Sequence, residues 1–255
     1  MIAAVRMMQR NALVYRHIWR GSVFSSFLQP TLFLIALGLG LGAMVDAGGA
    51  LLPDGVRYAE FLAPGLLAST AMQAASFESA WPVMGKMMWH RNYEAVVATP
   101  MSVSDVVFGE LGWIAIRLAT IGMAFVLVMT GFGIPRSPLV ILAIPSAVLT
   151  GLAFAAPITA FSATLTDANP FNVLFRFVIT PLFIFSGVFV PVSRLPEPIA
   201  RVAWFTPLFH GVELVRGFTL GAVPPAWPIH VTYLIALIAV GAAAARVTFR
   251  RRLYA

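Results

Sequence analysis

Residues 106–130 read VVFGELGWIAIRLATIGMAFVLVMT, residues 131–138 read GFGIPRSP, and residues 139–165 read LVILAIPSAVLTGLAFAAPITAFSATL. The first run holds two ionisable residues, Glu110 and Arg117, and the last holds none. At a rise of about 1.5 Å per residue, each run covers the roughly 30 Å hydrocarbon core of a bilayer. The glycine- and proline-bearing octet between them turns the chain back. The stretch reads as a helical hairpin through a membrane, and Pro145 and Pro157 imply kinks in its second arm.

Composition extends this reading to the whole chain. Of 255 residues, 60% are hydrophobic and 11% charged, against roughly 45–50% and about 25% in a soluble domain. Mean hydropathy is +0.88. A soluble globular protein, a disordered chain and a collagen-like repeat are all excluded. Residues 21–45 carry no charge until Asp46, and Phe61 to Phe77 form an apolar run between Glu60 and Glu78. Further apolar runs occupy 173–191 and 227–246. The expected fold is an all-α polytopic membrane protein, one domain over 1–255, with six transmembrane helices at 21–45, 59–80, 106–130, 139–165, 173–191 and 227–246.

Charge placement sets the expected orientation. Arg6, Arg10, Arg16 and Arg20 precede the first span, and Arg246, Arg250, Arg251 and Arg252 close the last. Such clusters favour the cytoplasmic side, so both termini are expected in the cytoplasm. No interleaved basic and aromatic groove points to nucleic acid. On a helical wheel, residues 1–20 gather Arg6, Gln9, Arg10, Arg16, His17 and Arg20 within an arc of about 120°, the pattern of an amphipathic helix lying in the membrane interface. The apolar run that follows is too long for a signal-peptide core, so no cleavage is expected.

Two cytoplasmic tails require an even number of crossings. The region 192–226 is apolar yet carries Arg194, Glu197, Arg201, His210, Glu213 and Arg216. Its stretch from Pro207 to Leu220 is about 21 Å of helix, too short to cross. It reads as short re-entrant helices that dip in from the outer face and leave again.

The chemistry that is missing is informative because ionisable residues are few. Cysteine is absent, which excludes disulfides, thiol catalysis and thiolate-bound metals. The only lysine, Lys86, follows Gly85 but has Ala80 at the first glycine position of a phosphate-binding loop and Met87 where Ser or Thr belongs. The four histidines at 17, 90, 210 and 230 show no metal spacing, and no hydrolase motif is present. No catalytic residue and no metal ligand is expected.

Charges inside spans are costly and invite a role. Arg117 lies near the middle of the third span; Glu110 shares its face but sits about 10 Å away along the helix. A direct pair would need a bend, or a partner on another helix such as Glu78. A buried ion pair and a lining of the substrate route remain open alternatives. Arg176 is expected to snorkel near Asp167. Gly38 and Gly42 form one G-x-x-x-G in the first span, compatible with packing inside one subunit or with dimerisation. Between spans two and three, residues 86–104 read as a short helix, a break at Thr99-Pro100 and a new start where Ser102 and Asp105 approximate a capping box. A surface helix there could dock a soluble partner.

The stretch 93–110, YEAVVATPMSVSDVVFGE, resembles the first cytoplasmic loop of type-2 ATP-binding-cassette exporter permeases, especially the nodulation protein J and daunorubicin-resistance group. Residues 184–221, IFSGVFVPVSRLPEPIARVAWFTPLFHGVELVRGFTLG, resemble that group's signature between its last two spans. Phe61 to Ser76, FLAPGLLASTAMQAAS, and the N-terminal NALVYRHIWR resemble it as well.

The resemblance implies a six-span inner-membrane permease that works as a dimer, with itself or a sibling, and is driven by a separate ATPase subunit that binds ATP and Mg; no cofactor binds this chain. It implies a coupling role for Arg91, Tyr93, Glu94, Thr99 and Pro100, and ATPase contact for Arg6, Arg10 and His17. It further implies an outer gate built from Trp204, Phe205, Pro207, His210, Glu213 and Arg216, with helices over 198–205 and 208–220. It assigns no role to Glu110 or Arg117. The expected cargo is amphipathic: a lipid, a lipid-linked saccharide or a hydrophobic drug. Two rival readings are an ion-coupled secondary transporter, which would need acids within its spans, and a non-transporting scaffold or sensor subunit.

Overall fold

The computed structural model describes residues 2–16, 28, 31–48, 52, 55–88, 93 and 100–254. Every regular element among them is helical. Helix α1 is Ile2–Tyr15. Helix α2 consists of a π-helical stretch, Leu34–Leu41, continued by Gly42–Gly48. Helix α3 is Tyr58–Met88 and α4 is Val103–Gly131. A short 3-10 turn, Pro138–Leu142, leads into α5, Ala143–Ser162. Helix α6 runs Asn169–Phe185 with a π-helical middle at Phe175–Ile179. Helices α7, Glu197–Trp204, and α8, Pro207–Leu220, precede α9, Trp227–Leu253.

Among the described residues, three stretches are long and apolar enough to cross a membrane: Val103–Gly131, Pro138–Ser162 and Trp227–Leu253. The hairpin read from residues 106–165 is therefore present, its first arm running three residues earlier than expected. Ser102 explains that start. Its hydroxyl accepts from the Asp105 amide at 3.2 Å while Asp105 Oδ2 accepts from the Ser102 amide at 3.1 Å, a reciprocal capping box. Helix α3 continues well past residue 80, to Met88, so the first part of the expected 86–104 loop is helix. At its other end Asp46 Oδ1 accepts from the Tyr58 amide at 2.8 Å, satisfying an otherwise orphaned helix-start donor. Helix α6 ends at Phe185, short of 191, because Gly187 adopts φ +82°, a left-handed turn that ends the helix. The expected outer helices fall at α7 and α8.

Helix α5 sits at the centre, packed by α3, α4, α8 and α9. Its buried positions are mostly small, including Ala143, Ala147, Gly151, Ala155 and Ala156, which lets neighbouring backbones approach closely. At Gly241 of α9 a Cβ would lie 2.6 Å from the Pro157 nitrogen. Two hydroxyls on this helix are satisfied at short range: Ser146 donates to Leu142 O at 2.8 Å and Thr150 to Ser146 O at 2.7 Å. Gly38 and Gly42 of α2 face α3. A Cβ at Gly38 would stand 3.4 Å from Ala59 Cβ, and one at Gly42 would stand 3.8 Å from Tyr58 Cβ. That favours packing inside one subunit over the other reading of the motif.

Contacts divide the molecule into two ends. One gathers α1, the end of α3, the start of α4 and the end of α9, where Arg246 Nε donates to Ser104 Oγ at 2.9 Å. The other gathers residues 55–61, 134–139, 187 and α8, where the Arg136 amide donates to Thr219 O at 3.0 Å. Helix α6 leaves Val173, Phe177, Val178, Ile184 and Phe185 exposed.

Candidate functional site

At the first end, four segments converge on one buried carboxylate. Lys86 Nζ, from α3, donates to both oxygens of Glu110 at 2.8 and 2.7 Å and to Asn11 Oδ1 of α1 at 3.2 Å. Glu110 is almost wholly enclosed. Tyr93 is fully buried with its ring 5.5 Å from Phe249 of α9, and its hydroxyl has no hydrogen-bond partner. Burial first, then the Glu110 charge, pushes the Tyr93 phenol well above its usual value of 10. Arg10 Nη1 and Asn11 Nδ2 are likewise buried without a hydrogen-bond partner.

About two helical turns deeper, Arg117 Nη2 meets Glu78 Oε1 at 2.9 Å, and its guanidinium lies 4.5 Å over the Tyr15 ring. The cross-helix partner named from the sequence is the one that forms. Glu110 pairs with Lys86, a contact that sequence reasoning missed because Lys86 falls where the second span was thought to have ended. Asn11 was missed as well. The helical wheel marked Arg6 and Arg10 for the wet face of α1; Arg6 is exposed, but Met7 and Asn11 turn inward and Met8 packs where a Cβ at Gly112 would stand 3.1 Å from its sulfur. Helix α1 thus docks on α4.

Of the coupling residues, Tyr93 and Pro100 are described and Arg91, Glu94 and Thr99 lie outside the described residues, as does His17. Asp167 Oδ1 accepts from the Asn169 amide at 2.8 Å, capping the start of α6.

At the second end, charge is held by backbone oxygens. Arg216 Nη2 donates to Gly187 O at 2.7 Å and to Phe61 O at 3.3 Å, its guanidinium lies 3.8 Å over the Phe61 ring, and Glu213 approaches at 3.4 Å. Arg136 donates to Gly55 O and to Glu60, which also holds Arg57 at 3.0 Å. Trp204, Phe205, Phe209, Glu213 and Arg216 line a cavity of about 810 Å³ with Phe61. His210 Nδ1 lies 2.6 Å from His230 Nδ1 of α9, and Trp204 packs 5.6 Å from the His210 ring. Pro207 opens the first turn of α8, and Thr206 caps it by accepting from the Phe209 amide at 3.3 Å. The expected outer-gate residues are thus brought together; the partner histidine and Phe61 were not foreseen. No group of three metal-ligating side chains occurs among the described residues.

This arrangement is that of a multi-pass membrane permease whose ionisable groups are held in pairs or on backbone oxygens. Residues 3–220 match the family model of the ABC-2 type transporter membrane domain, and the chain belongs to that family. It is 33% identical to nodulation protein J of Rhizobium leguminosarum bv. viciae over 96% of this chain and 93% of that protein. It is 31% identical to nodulation protein J of Neorhizobium galegae over 98% and 93%, and 31% identical to that of Bradyrhizobium diazoefficiens over 96% and 92%. The chain is the membrane subunit of an ABC-2 type transporter, similar to nodulation protein J. It has no ATPase domain of its own, so ATP binding belongs to a separate partner subunit.

Proposed function

We propose that this chain is the six-span permease of an exporter that moves an amphipathic cargo, a lipid, lipid-linked saccharide or hydrophobic drug, across the inner membrane. The three long apolar stretches, with α2, α3 and α6, supply the crossings, both termini face the cytoplasm, and α7 and α8 form the re-entrant outer region. Two copies, or one copy and a sibling permease, enclose the route. ATP hydrolysis in the partner subunit drives it through residues 86–104, with Arg91, Tyr93, Glu94, Thr99 and Pro100 as the coupling residues and Arg6, Arg10 and His17 as further contacts.

The observation that carries this reading is the anchorage of Tyr93. A residue in the middle of the coupling segment is wholly buried against α9 beside a carboxylate whose partner, Lys86, joins α1, α3 and α4, so displacement of that segment is transmitted to four helices at once. Arg117 with Glu78 acts as a further tie between α3 and α4. The 810 Å³ cavity at the other end, walled by Trp204, Phe205 and Phe61 and edged by Glu213 and Arg216, matches an amphipathic guest.

The test is co-purification with the ATPase and cargo movement in vesicles. ATP-dependent transport by the complex, and none by the isolated chain, is the expected result; transport driven by an ion gradient alone would overturn it. Arg91→Ala or Glu94→Ala is expected to weaken ATPase stimulation without affecting insertion. A cysteine at Gly49 or Arg194 should label from outside and one at Asn92 from inside.

A further inference from the structure

The second end also holds a deeply buried pair of titratable side chains that joins one of the expected gate residues to the last long helix. His210, on α8, and His230, in the first turn of α9, are 2% and 3% exposed. Their Nδ1 atoms face each other at 2.6 Å. Such a contact requires unlike nitrogens: one ring presents N–H at Nδ1 and the other its lone pair, so the two imidazoles are in opposite tautomers. One added proton leaves the N–H···N bond intact and makes it charge-assisted. A second places N–H on both facing atoms, and two donors bearing two positive charges cannot share that distance.

The surroundings determine what the contact holds together. Trp204 of α7 lies 5.6 Å from the His210 ring and 6.3 Å from His230; Phe209 lies 5.5 and 6.0 Å from them. Tyr233 of α9 stacks 4.1 Å from His210 and its hydroxyl donates to Phe205 O at the α7–α8 corner. The pair therefore sits where the α7–α8 hairpin meets the last long helix. The charged groups on the packed elements are few. Helix α8 offers Glu213, with Arg216 tied to Gly187 and Phe61; α9 offers Tyr233; α7 offers Glu197 and Arg201, paired with each other at the surface. Helix α3 offers Tyr58 and Glu60, the latter held by Arg57 and Arg136. Helix α5 has no titratable side chain and the Pro138–Leu142 turn none. Glu213 is the one carboxylate on α8 itself, and it favours the first proton on the pair but cannot neutralise the second.

We propose that His210 and His230 form a proton-operated clasp, which fastens the α7–α8 hairpin to α9 while one N–H is shared between their facing nitrogens and releases it when both rings are protonated. Release would free Trp204 and Phe209, which are common to the clasp and to the wall of the 810 Å³ cavity. An apolar pair of the same size would hold the hairpin equally well but at every pH.

The test uses the full chain assembled with its ATPase in lipid nanodiscs, ¹⁵N-histidine NMR, and hydrogen exchange corrected for intrinsic rates. Between about pH 8 and about pH 4, protection over residues 197–220, referenced to α5, is expected to fall by about tenfold or more. The shared-proton signature of the two Nδ1 resonances should disappear over the same range. The double variant His210→Asn with His230→Gln should show no such pH dependence. Constant wild-type protection across the range would overturn the clasp, as would the same pH dependence in the variant. If the variant fails to assemble, the wild-type spectrum alone decides: two Nδ1 atoms with independent tautomers and no shared proton sink the proposal.

Discussion

The two ends of the bundle handle charge differently. At the end that carries α1, ionised side chains meet other side chains: Lys86 with Glu110 and Arg117 with Glu78. At the opposite end the guanidiniums of Arg216 and Arg136, besides pairing with Glu213 and Glu60, also bind main-chain oxygens of Gly187, Phe61 and Gly55. A side-chain partner can follow by changing rotamer, whereas a main-chain oxygen moves only with its backbone. Among the described residues, the first end also keeps buried donors in reserve, on Arg10, Asn11 and Tyr93. Unpaired buried groups cost roughly 1–3 kcal/mol each, so a second arrangement that satisfies them is energetically within reach. The first end is constructed to rearrange and the second to hold a shape until its own clasp opens.

The largest effect should come from breaking the Lys86–Glu110 pair on one side only. Lys86→Met or Glu110→Leu strands the remaining charge among α1, α3 and α4, and each is expected to cost about 3–5 kcal/mol, whereas the double variant should recover most of it. Thermal unfolding of the purified complex, run as a double-mutant cycle, checks this; additive losses would show that the two side chains do not depend on each other.

Next come the two helix starts, one at each end. Thr206 caps α8 from a buried position and also meets Ser186 Oγ at 3.1 Å. Ser102 caps α4 in water. Thr206→Ala should cost about 1–2 kcal/mol and Ser102→Ala about 0.5–1 kcal/mol by the same measurement; the reverse order would contradict the picture of a tighter second end.

Tyr93→Phe removes a buried hydroxyl that has no hydrogen-bond partner, so stability near neutral pH should stay level or rise by up to about 1 kcal/mol. The sign of its pH dependence is fixed by burial. The native phenol stays protonated above its ordinary value of 10 while the unfolded one ionises, so Tyr93 lowers stability as pH rises through 10. The variant should lose less stability than wild type in that alkaline range. Smallest of all, Glu197→Gln should change stability by less than about 0.5 kcal/mol, because Glu197 and Arg201 pair at the surface with three quarters of each side chain in water.

How much of this was readable in advance depended on distance along the chain. The hairpin of α4 and α5, the Ser102 box and the two short helices α7 and α8 rest on apolar run length and on residues three or four apart, and they were legible. Arg117 with Glu78 was legible because a charge near the middle of a span must find a partner on another helix. Lys86 with Glu110 was not, since no local pattern reveals that α3 continues past residue 80 to deliver an amine beside α4. His230 stands in the sequence only as one of four scattered histidines; the crossing of α8 and α9 makes it the partner of His210. Arg216 does fall beside Trp204, Phe205 and Glu213, but most of its partners are backbone oxygens, which carry no residue-type signal.

Lys86 has one more consequence, for the bench rather than the bilayer. It supplies the chain's sole side-chain primary amine, and that amine is engaged by two carboxylate oxygens and an amide oxygen. Acylating reagents need the free base, so this position should resist them until the pair separates. An ordinary amine-directed label, followed by peptide mass, then becomes a clock for the opening of one defined contact in the intact transporter.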